Sequence, residues 1–322
     1  MRQIVRCGAL VLACILGPLA AMAQDYPSRP VKILVPFTPG SATDILARTV
    51  GQKLAELWGQ SVVVENRAGA GGTIGAGLVA KAPADGTTLM VHSAAQAVNA
   101  FIYPTLPYDT LKDFVQVAPL AGQPNVLVVA PTSGYKTLAD LIADAKKRPG
   151  VLNFGSAGIG SGTHINGEKF KLAAGLNITH VPYKGTPEAL TDTMAGRIGY
   201  FFAPVSAALP LVRDGKLQAL AVSSSRRSSV LPQVPTVAES GLPDFDYNLW
   251  VGMFAPAGTP ADVVEKINRD VNRVLKEPDV RDRMLALGAE AMSMSAAEFD
   301  RFMRAEMDDA AKVVKAAAIK VQ

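Results

Sequence analysis

Two stretches of this chain set small polar residues where backbone amides could do chemistry. One is Pro39-Gly40-Ser41-Ala42-Thr43-Asp44; the other is Gly155-Ser156-Ala157-Gly158-Ile159-Gly160-Ser161-Gly162-Thr163-His164. Each joins a β-type apolar run to a segment with helical spacing. Glycines let successive N–H groups converge, and a helix N-terminus adds positive potential, so such a loop can hold an anion without Arg or Lys. Facing one another from two halves of a protein, the pair would grip a carboxylate from both sides. Each also has a plainer reading: the second as a flexible loop capped by Thr163, and Asp44 as the cap of the first helix rather than a ligand contact.

Other chemistries find less support. Gly75-x-Gly77-x-x-Ala80 resembles a relaxed dinucleotide fingerprint, but it starts well beyond the strand ending at Asn66, where a pyrophosphate turn should follow directly. The chain contains no G-x-x-x-x-G-K-[ST], no G-x-S-x-G and no H-E-x-x-H. His92, His164 and His180 have no second histidine at ligand spacing and read as structural or hydrogen-bonding residues. His164 stands apart because it sits beside the polar glycine loop. The serines of that loop show no recognisable base. No catalytic residue, metal ligand or cofactor is therefore expected, and Ser225-Arg226-Arg227-Ser228 reads as a solvated face.

Composition agrees. With 322 residues, 49% hydrophobic and 19% charged, the chain is globular and long enough for about two domains. Two Cys and three His leave little room for a zinc module, an iron–sulfur protein or a disulfide scaffold. A formal charge of +4 is too small to signal a nucleic-acid partner. Arg2 and Arg6, the apolar run 10–16 and Ala21-Met22-Ala23 have the layout of a secretory signal peptide, with cleavage after Ala23. Cleavage removes Cys7 and Cys14, so the mature chain has no thiol. The expected location is periplasmic.

The elements that must position the two loops follow from periodicity. Strands are expected at 31–36, 62–66, 88–92, 126–129, 151–154, 177–181, 198–202, 217–222 and 250–255. Between them, Ile45, Leu46, Val50, Leu54, Leu57 and Trp58 form one helical stripe, and Thr137 caps a helix reaching Lys147. Ser93-Ala94-Ala95-Gln96 reads as a small polar loop. Thr186-Pro187 reads as N-cap and first helical residue, and Ser295-Ala296-Ala297-Glu298 as a capping box. Strand–helix alternation predicts α/β architecture with parallel sheet. Two such lobes with no hydrophilic linker suggest a hinged pair, joined by more than one crossover and separated by a cleft.

At these residues the sequence resembles the Bug-type extracytoplasmic solute receptors of tripartite tricarboxylate transporters. The likeness rests on Tyr26-Pro27-x-x-Pro30, Val35-Pro36-Phe37-x-Pro39-Gly40-x-x-x-Asp44, Val64-Glu65-Asn66-Arg67-x-Gly69-x-Gly71-Gly72 and Ala82-Pro83-Ala84-Asp85-Gly86. It continues through the 155–164 loop, His180-Val181-Pro182-Tyr183-Lys184-Gly185, Val234-Pro235-Thr236-x-x-Glu239-x-Gly241 and Pro256-Ala257-Gly258-Thr259-Pro260. The resemblance implies a type II periplasmic binding fold, with lobe one at 24–123 plus 225–322 and lobe two at 124–224. It implies a monomer that binds a di-, tri- or aromatic carboxylate such as terephthalate and passes it to membrane transporter subunits. Carried onto this chain, the contacts would come from Phe37, Gly40, Ser41, Thr43, Asp44, Ser93, Ala95 and Gln96. The other lobe would supply Ser156, Ala157, Gly160, Ser161, Thr163, His164, Tyr183 and Gly185. Two departures stand out: Ser41 where many relatives have Gly, and Ala203 where relatives often carry Asp. Loss of that carboxylate points to a ligand without an ammonium group. The competing readings are an exported hydrolase and a ligand-dependent signalling receptor using the same cleft.

Overall fold

The computed structural model describes residues 26–319, so the leader read at 1–23 lies outside the described residues. The β-branched run Val31–Val35 forms β1. Then follow α1 (Ala42–Trp58), β2 (Val62–Asn66), α2 (Thr73–Val79), β3 (Thr88–Ser93) and α3 (Ala95–Ile102). A long strand, β4 (Phe114–Val129), leads to α4 (Leu138–Lys147), β5 (Asn153–Ser156), α5 (Gly162–Ala174), β6 (Thr179–Pro182) and α6 (Thr186–Met194). The chain continues through β7 (Tyr200–Pro204), α7 (Val205–Arg213), β8 (Gln218–Val222), β9 (Asn248–Pro256) and α8 (Ala261–Val274). It ends with α9 (Pro278–Ala286), β10 (Glu290–Ala291) and α10 (Ala296–Ala316).

The strands run in the order β2-β1-β3-β9-β4-β7-β5-β6, with β8 and β10 also paired to β4. The sheet is mixed rather than parallel throughout. β1, β2 and β3 are parallel, as are β5, β6 and β7, but β9 runs antiparallel to β3 and β4, and β4 antiparallel to β7 and β8. Alternation alone could not show this, because it arises where the chain passes between halves. Residues Phe114–Pro124 of β4 pair with β9, while Asn125–Val128 pair with β7. One strand therefore belongs to two sheets, each with apolar clusters on both faces.

The return crossing lies later than residue 225. Leu231, Val234, Val237 and Phe245 are buried in the clusters of the second half, and Val222 bridges Thr236, so the stretch up to Phe245 packs there. Crossing occurs at Asp246–Asn248. There the Tyr247 N–H donates to the Ser223 carbonyl (2.8 Å), and the Ser223 hydroxyl donates to the Tyr247 carbonyl (2.6 Å). Ser223 N–H in turn donates to the Asn125 carbonyl at 2.8 Å, tying both crossings together.

Local expectations also shift by a residue or two. β5 begins at Asn153, leaving Val151 exposed. Ala95 opens α3 rather than sitting in a loop. Ser161, not Thr163, caps α5; Gly185, not Thr186, is the N-cap of α6. The capping boxes at Thr137 and Ser295 form as expected.

Candidate ligand-binding site

The two loops adopt one shape. Gly40 and Gly160 have φ of +83° and +82°, a left-handed conformation open to glycine. The following serines are extended N-caps: Ser41 Oγ accepts from the Asp44 amide at 3.4 Å and Ser161 Oγ from the His164 amide at 3.2 Å. Thr43 Oγ1 lies 3.1 Å from Ser41 Oγ, and Thr163 Oγ1 lies 3.0 Å from Ser161 Oγ. In each loop the fifth side chain turns back on the glycine amide. Gly40 N–H donates to Asp44 Oδ2 (2.9 Å) and Gly160 N–H to His164 Nδ1 (3.1 Å). The amides of Ala42, Thr43, Gly162 and Thr163 remain as helix-end donors that no helical carbonyl can accept.

These ends meet at a cavity of about 20 Å³ at the carboxyl ends of the parallel strands, where α/β sheets bind ligands. Of the residues expected from sequence, Phe37, Ser41, Thr43, Ser93, Ala157, Ser161 and Thr163 line it. Ala42, Gly162, Thr186, Pro204 and Leu249 line it too and were not anticipated. No lining residue is charged. A volume this small suits ordered water, so a solute of several carbons enters only if the loops separate. A cleft of about 600 Å³ beside α5 and α10, lined by Lys169, Leu242, Phe245 and Val313, is larger but lacks the converging helix ends.

The remaining expected contacts are placed behind the cavity. Asp44 is buried, and its carboxylate accepts from Gly40 N–H, Asn66 Nδ2 (2.9 Å) and Arg48 Nε (3.0 Å). Burial alone would raise its pKa, but the bonds from Arg48, Gly40 and Asn66 outweigh that and hold it below the ordinary carboxylate range. Asp44 is thus a loop anchor, and the Gly40 and Gly160 amides are taken by their own loops. Ala95 packs in the core; Gln96 is fully buried with its amide unpaired. Tyr183 Oη donates to Asp192 Oδ2 at 2.7 Å. Ala203 belongs to a hydrophobic cluster on the opposite face of β7 from Phe202, and the neighbouring Pro204 reaches the cavity instead. The departure at Ala203 therefore does not act at the cavity wall; what disfavours an ammonium there is that no lining residue is acidic.

Behind the second loop is an aromatic stack. The His164 and His180 rings lie 3.9 Å apart, and Phe154 stacks on His180 at 4.8 Å. Burial, and then the neighbouring imidazole, lower His164 to about 2; burial and Lys171 lower His180 to about 4. Both rings are neutral at physiological pH. Ser156 does have a potential base, contrary to expectation: its Oγ lies 2.6 Å from His180 Nε2. Yet Ser156 is fully buried and its oxygen also accepts from Gly158 N–H, so it orders the loop rather than facing the cavity. His92 is also buried and neutral; its Nδ1 accepts from Ser93 N–H at 2.8 Å.

Side-chain hydrogen bonds also join the two halves. Tyr103 Oη donates to the Ile159 carbonyl at 3.0 Å, and Thr38 Oγ1 donates to Glu188 Oε2 at 3.1 Å. A Cβ on Gly71 would stand 2.0 Å from the Ile159 oxygen, and one on Gly185 would stand 1.9 Å from Thr38 Oγ1. Gly185 is extended (φ −171°), so its place on this seam, not its backbone, is what excludes a side chain.

Residues 46–319 match the family described as the tripartite tricarboxylate transporter family receptor. The chain belongs to that family. It is a solute-binding receptor of the Bug/TctC type with a periplasmic binding protein fold. It is 38% identical to Protein BugT of Bordetella pertussis over 315 residues, 97% of this chain and 96% of that protein. Among solved structures, Rpa4515 of R. palustris with adipate is 37% identical, with a TM-score of 0.90 over 92% of this chain and 100% of that one. MatC from Rhodopseudomonas palustris with bound malate is 35% identical, with a TM-score of 0.84 over 90% of this chain and 100% of that one.

Proposed function

We propose that this receptor captures a small carboxylate without an ammonium group outside the cytoplasm and passes it unchanged to membrane subunits of a tripartite tricarboxylate transporter. The observation that carries this is the pair of facing helix ends: four amides and four hydroxyls converge on a cavity with no charged wall. Helix-end dipoles there favour an anion, and no acidic side chain is present to hold an ammonium. The adipate and malate relatives support a dicarboxylate. An aromatic dicarboxylate such as terephthalate is the bulkier member of the same class. Release into a transporter fits a binder whose site opens along a seam. Among the described residues no helix is long and apolar enough to cross a membrane.

A thermal-shift screen of the purified protein against carboxylates, followed by calorimetry, tests the reading. A ligand at 100 times its dissociation constant stabilises the fold by about 2.7 kcal/mol. Stoichiometric binding of a carboxylate without turnover is the expected result. An amino acid binding far more tightly than any dicarboxylate, or chemical conversion of the bound solute, would overturn it.

A further inference from the structure

Beside the cavity wall the structure collects buried polar atoms that have no partner. Asn125 is fully buried, and neither its Nδ2 nor its Oδ1 is bonded. In the β4–β7 ladder Asn125 stands opposite Pro204, which lines the cavity. Facing residues of an antiparallel pair project to the same side. Leu127 and Phe202, the next such pair, are buried in one cluster, which confirms the parity. Two residues earlier, Gln123 accepts from Ser206 N–H through Oε1 (3.1 Å), while its Nε2 and the Ser206 hydroxyl are unpaired. Both residues are almost completely buried. On α5, Asn166 lies one turn before Phe170, which packs on this same sheet face, and its side-chain amide is also buried and unpaired.

Leaving so many buried polar atoms unpaired is costly at each one, and native folds rarely do so without a partner. Of the buried polar atoms without a partner, those of Asn125, Gln123 and Ser206 adjoin the cavity: Asn125 stands opposite Pro204 and Gln123 opposite Leu249, both lining residues, and Gln123 is bonded to Ser206. Asn125 Nδ2, Gln123 Nε2 and Ser206 Oγ–H are three neutral donors. We propose that Asn125, supported by Gln123 and Ser206, receives the second carboxylate of a dicarboxylic ligand, and so selects dicarboxylates over monocarboxylates of equal length. This assignment rests on the reading of the cavity as a carboxylate site. It adds that the two ends of the ligand are read differently, one by backbone at helix ends and the other by side-chain amides beside the hinge.

Calorimetry of the purified protein with adipate, hexanoate and 6-aminohexanoate tests it. The wild type should prefer adipate to hexanoate. Asn125→Leu should weaken adipate by roughly tenfold or more, the worth of a hydrogen bond to a charged group, and leave hexanoate unchanged. Asn125→Asp should weaken adipate further and strengthen 6-aminohexanoate, whose ammonium would meet the new carboxylate. Ser206→Ala, a milder change, should move the adipate-to-hexanoate ratio in the same direction and serves if the Asn125 variants fold poorly. Parallel loss of adipate and hexanoate, or an unchanged ratio, overturns the assignment while leaving the carboxylate reading intact. Failure of the wild type to bind adipate overturns the assignment, and failure to bind any carboxylate of the thermal-shift screen sinks the carboxylate reading with it.

Discussion

The loop at 40–44 and the loop at 160–164 present the same backbone to the cavity but are held from behind by opposite means. In the first, the anchor is an ionised carboxylate, Asp44, wired to Arg48 and Asn66. In the second, it is a neutral imidazole, His164, stacked on His180. A bare carboxylate so close to an anion site would repel the ligand, and Arg48 offsets that charge. A charged imidazole would bind an anion more tightly but would have to be desolvated in an aromatic stack, which burial forbids. Both arrangements leave the helix ends as the dominant field at the cavity. The lesson is that two unlike scaffolds can produce one neutral, donor-rich grip.

Substituting both hydroxyls tests the symmetry most severely. Thr43→Val with Thr163→Val should weaken adipate by roughly a hundredfold, with each single change near tenfold. Only Thr163→Val should also lower the melting temperature, because Thr163 Oγ1 accepts from the Ala157 amide at 2.9 Å and the substitution orphans that amide. A silent member of the pair would break the equivalence of the loops.

Wedging the seam comes next. Gly185→Ala, at an extended position, should reduce affinity roughly tenfold by disfavouring the joined form, with the melting temperature of ligand-free protein nearly unchanged. Stopped-flow binding should show faster release. An equal loss of stability would mean that the seam is part of the core rather than a closing surface.

Acid should separate the two anchors. Unfolded histidines protonate near pH 6.5, whereas His180 stays neutral to about 4 and His164 to about 2. In that window the unfolded chain binds more protons, so stability is complete above pH 6.5 and falls on acidification, by up to about 1.4 kcal/mol per pH unit for each histidine. His92, lowered to about 3, acts in the same direction. Asp44, depressed below its ordinary 3.8, contributes stability above that value and loses it only in stronger acid. Urea midpoints from pH 7.5 to 4 should therefore decline in the wild type and decline less in His180→Gln. A flat profile down to pH 5 would contradict neutral burial.

The smallest effect sharpens the first loop. Arg48 is half exposed, so Arg48→Gln should change stability by less than about 1 kcal/mol. By uncovering the Asp44 charge it should still weaken adipate severalfold at low salt, and added salt should shrink the loss.

Much of the site was legible because its signals are local. Ser41, Thr43, Ser161 and Thr163 declare themselves as small polar residues at the starts of amphipathic segments, and a helix N-terminus needs only its own turn to form. Gly40 and Gly160 were legible as special positions but not as amides already occupied, since that depends on how Asp44 and His164 fold back. Thr186 was read as a cap and proved to be the first helical residue, a shift of one that turns it to the cavity. Strand parity could not be read: whether Ala203 or Pro204 reaches the cavity depends on how β7 registers against β4.

By itself the sequence determined the α/β class, both strand-to-helix glycine loops and the family, because these depend on periodicity, capping and ordered motifs within a few turns of chain. Tertiary structure alone decided that β4 serves two sheets, that the return crossing follows Phe245, and that Leu249 closes the cavity. It also decided that Gly185 faces Thr38 and that Asn125 stands unpaired opposite Pro204. Those facts join residues far apart in the chain, and no local preference encodes a distance between them. They are set only when the two halves are brought together across a shared strand and a cluster that joins Val98 and Ile102 to Ile165.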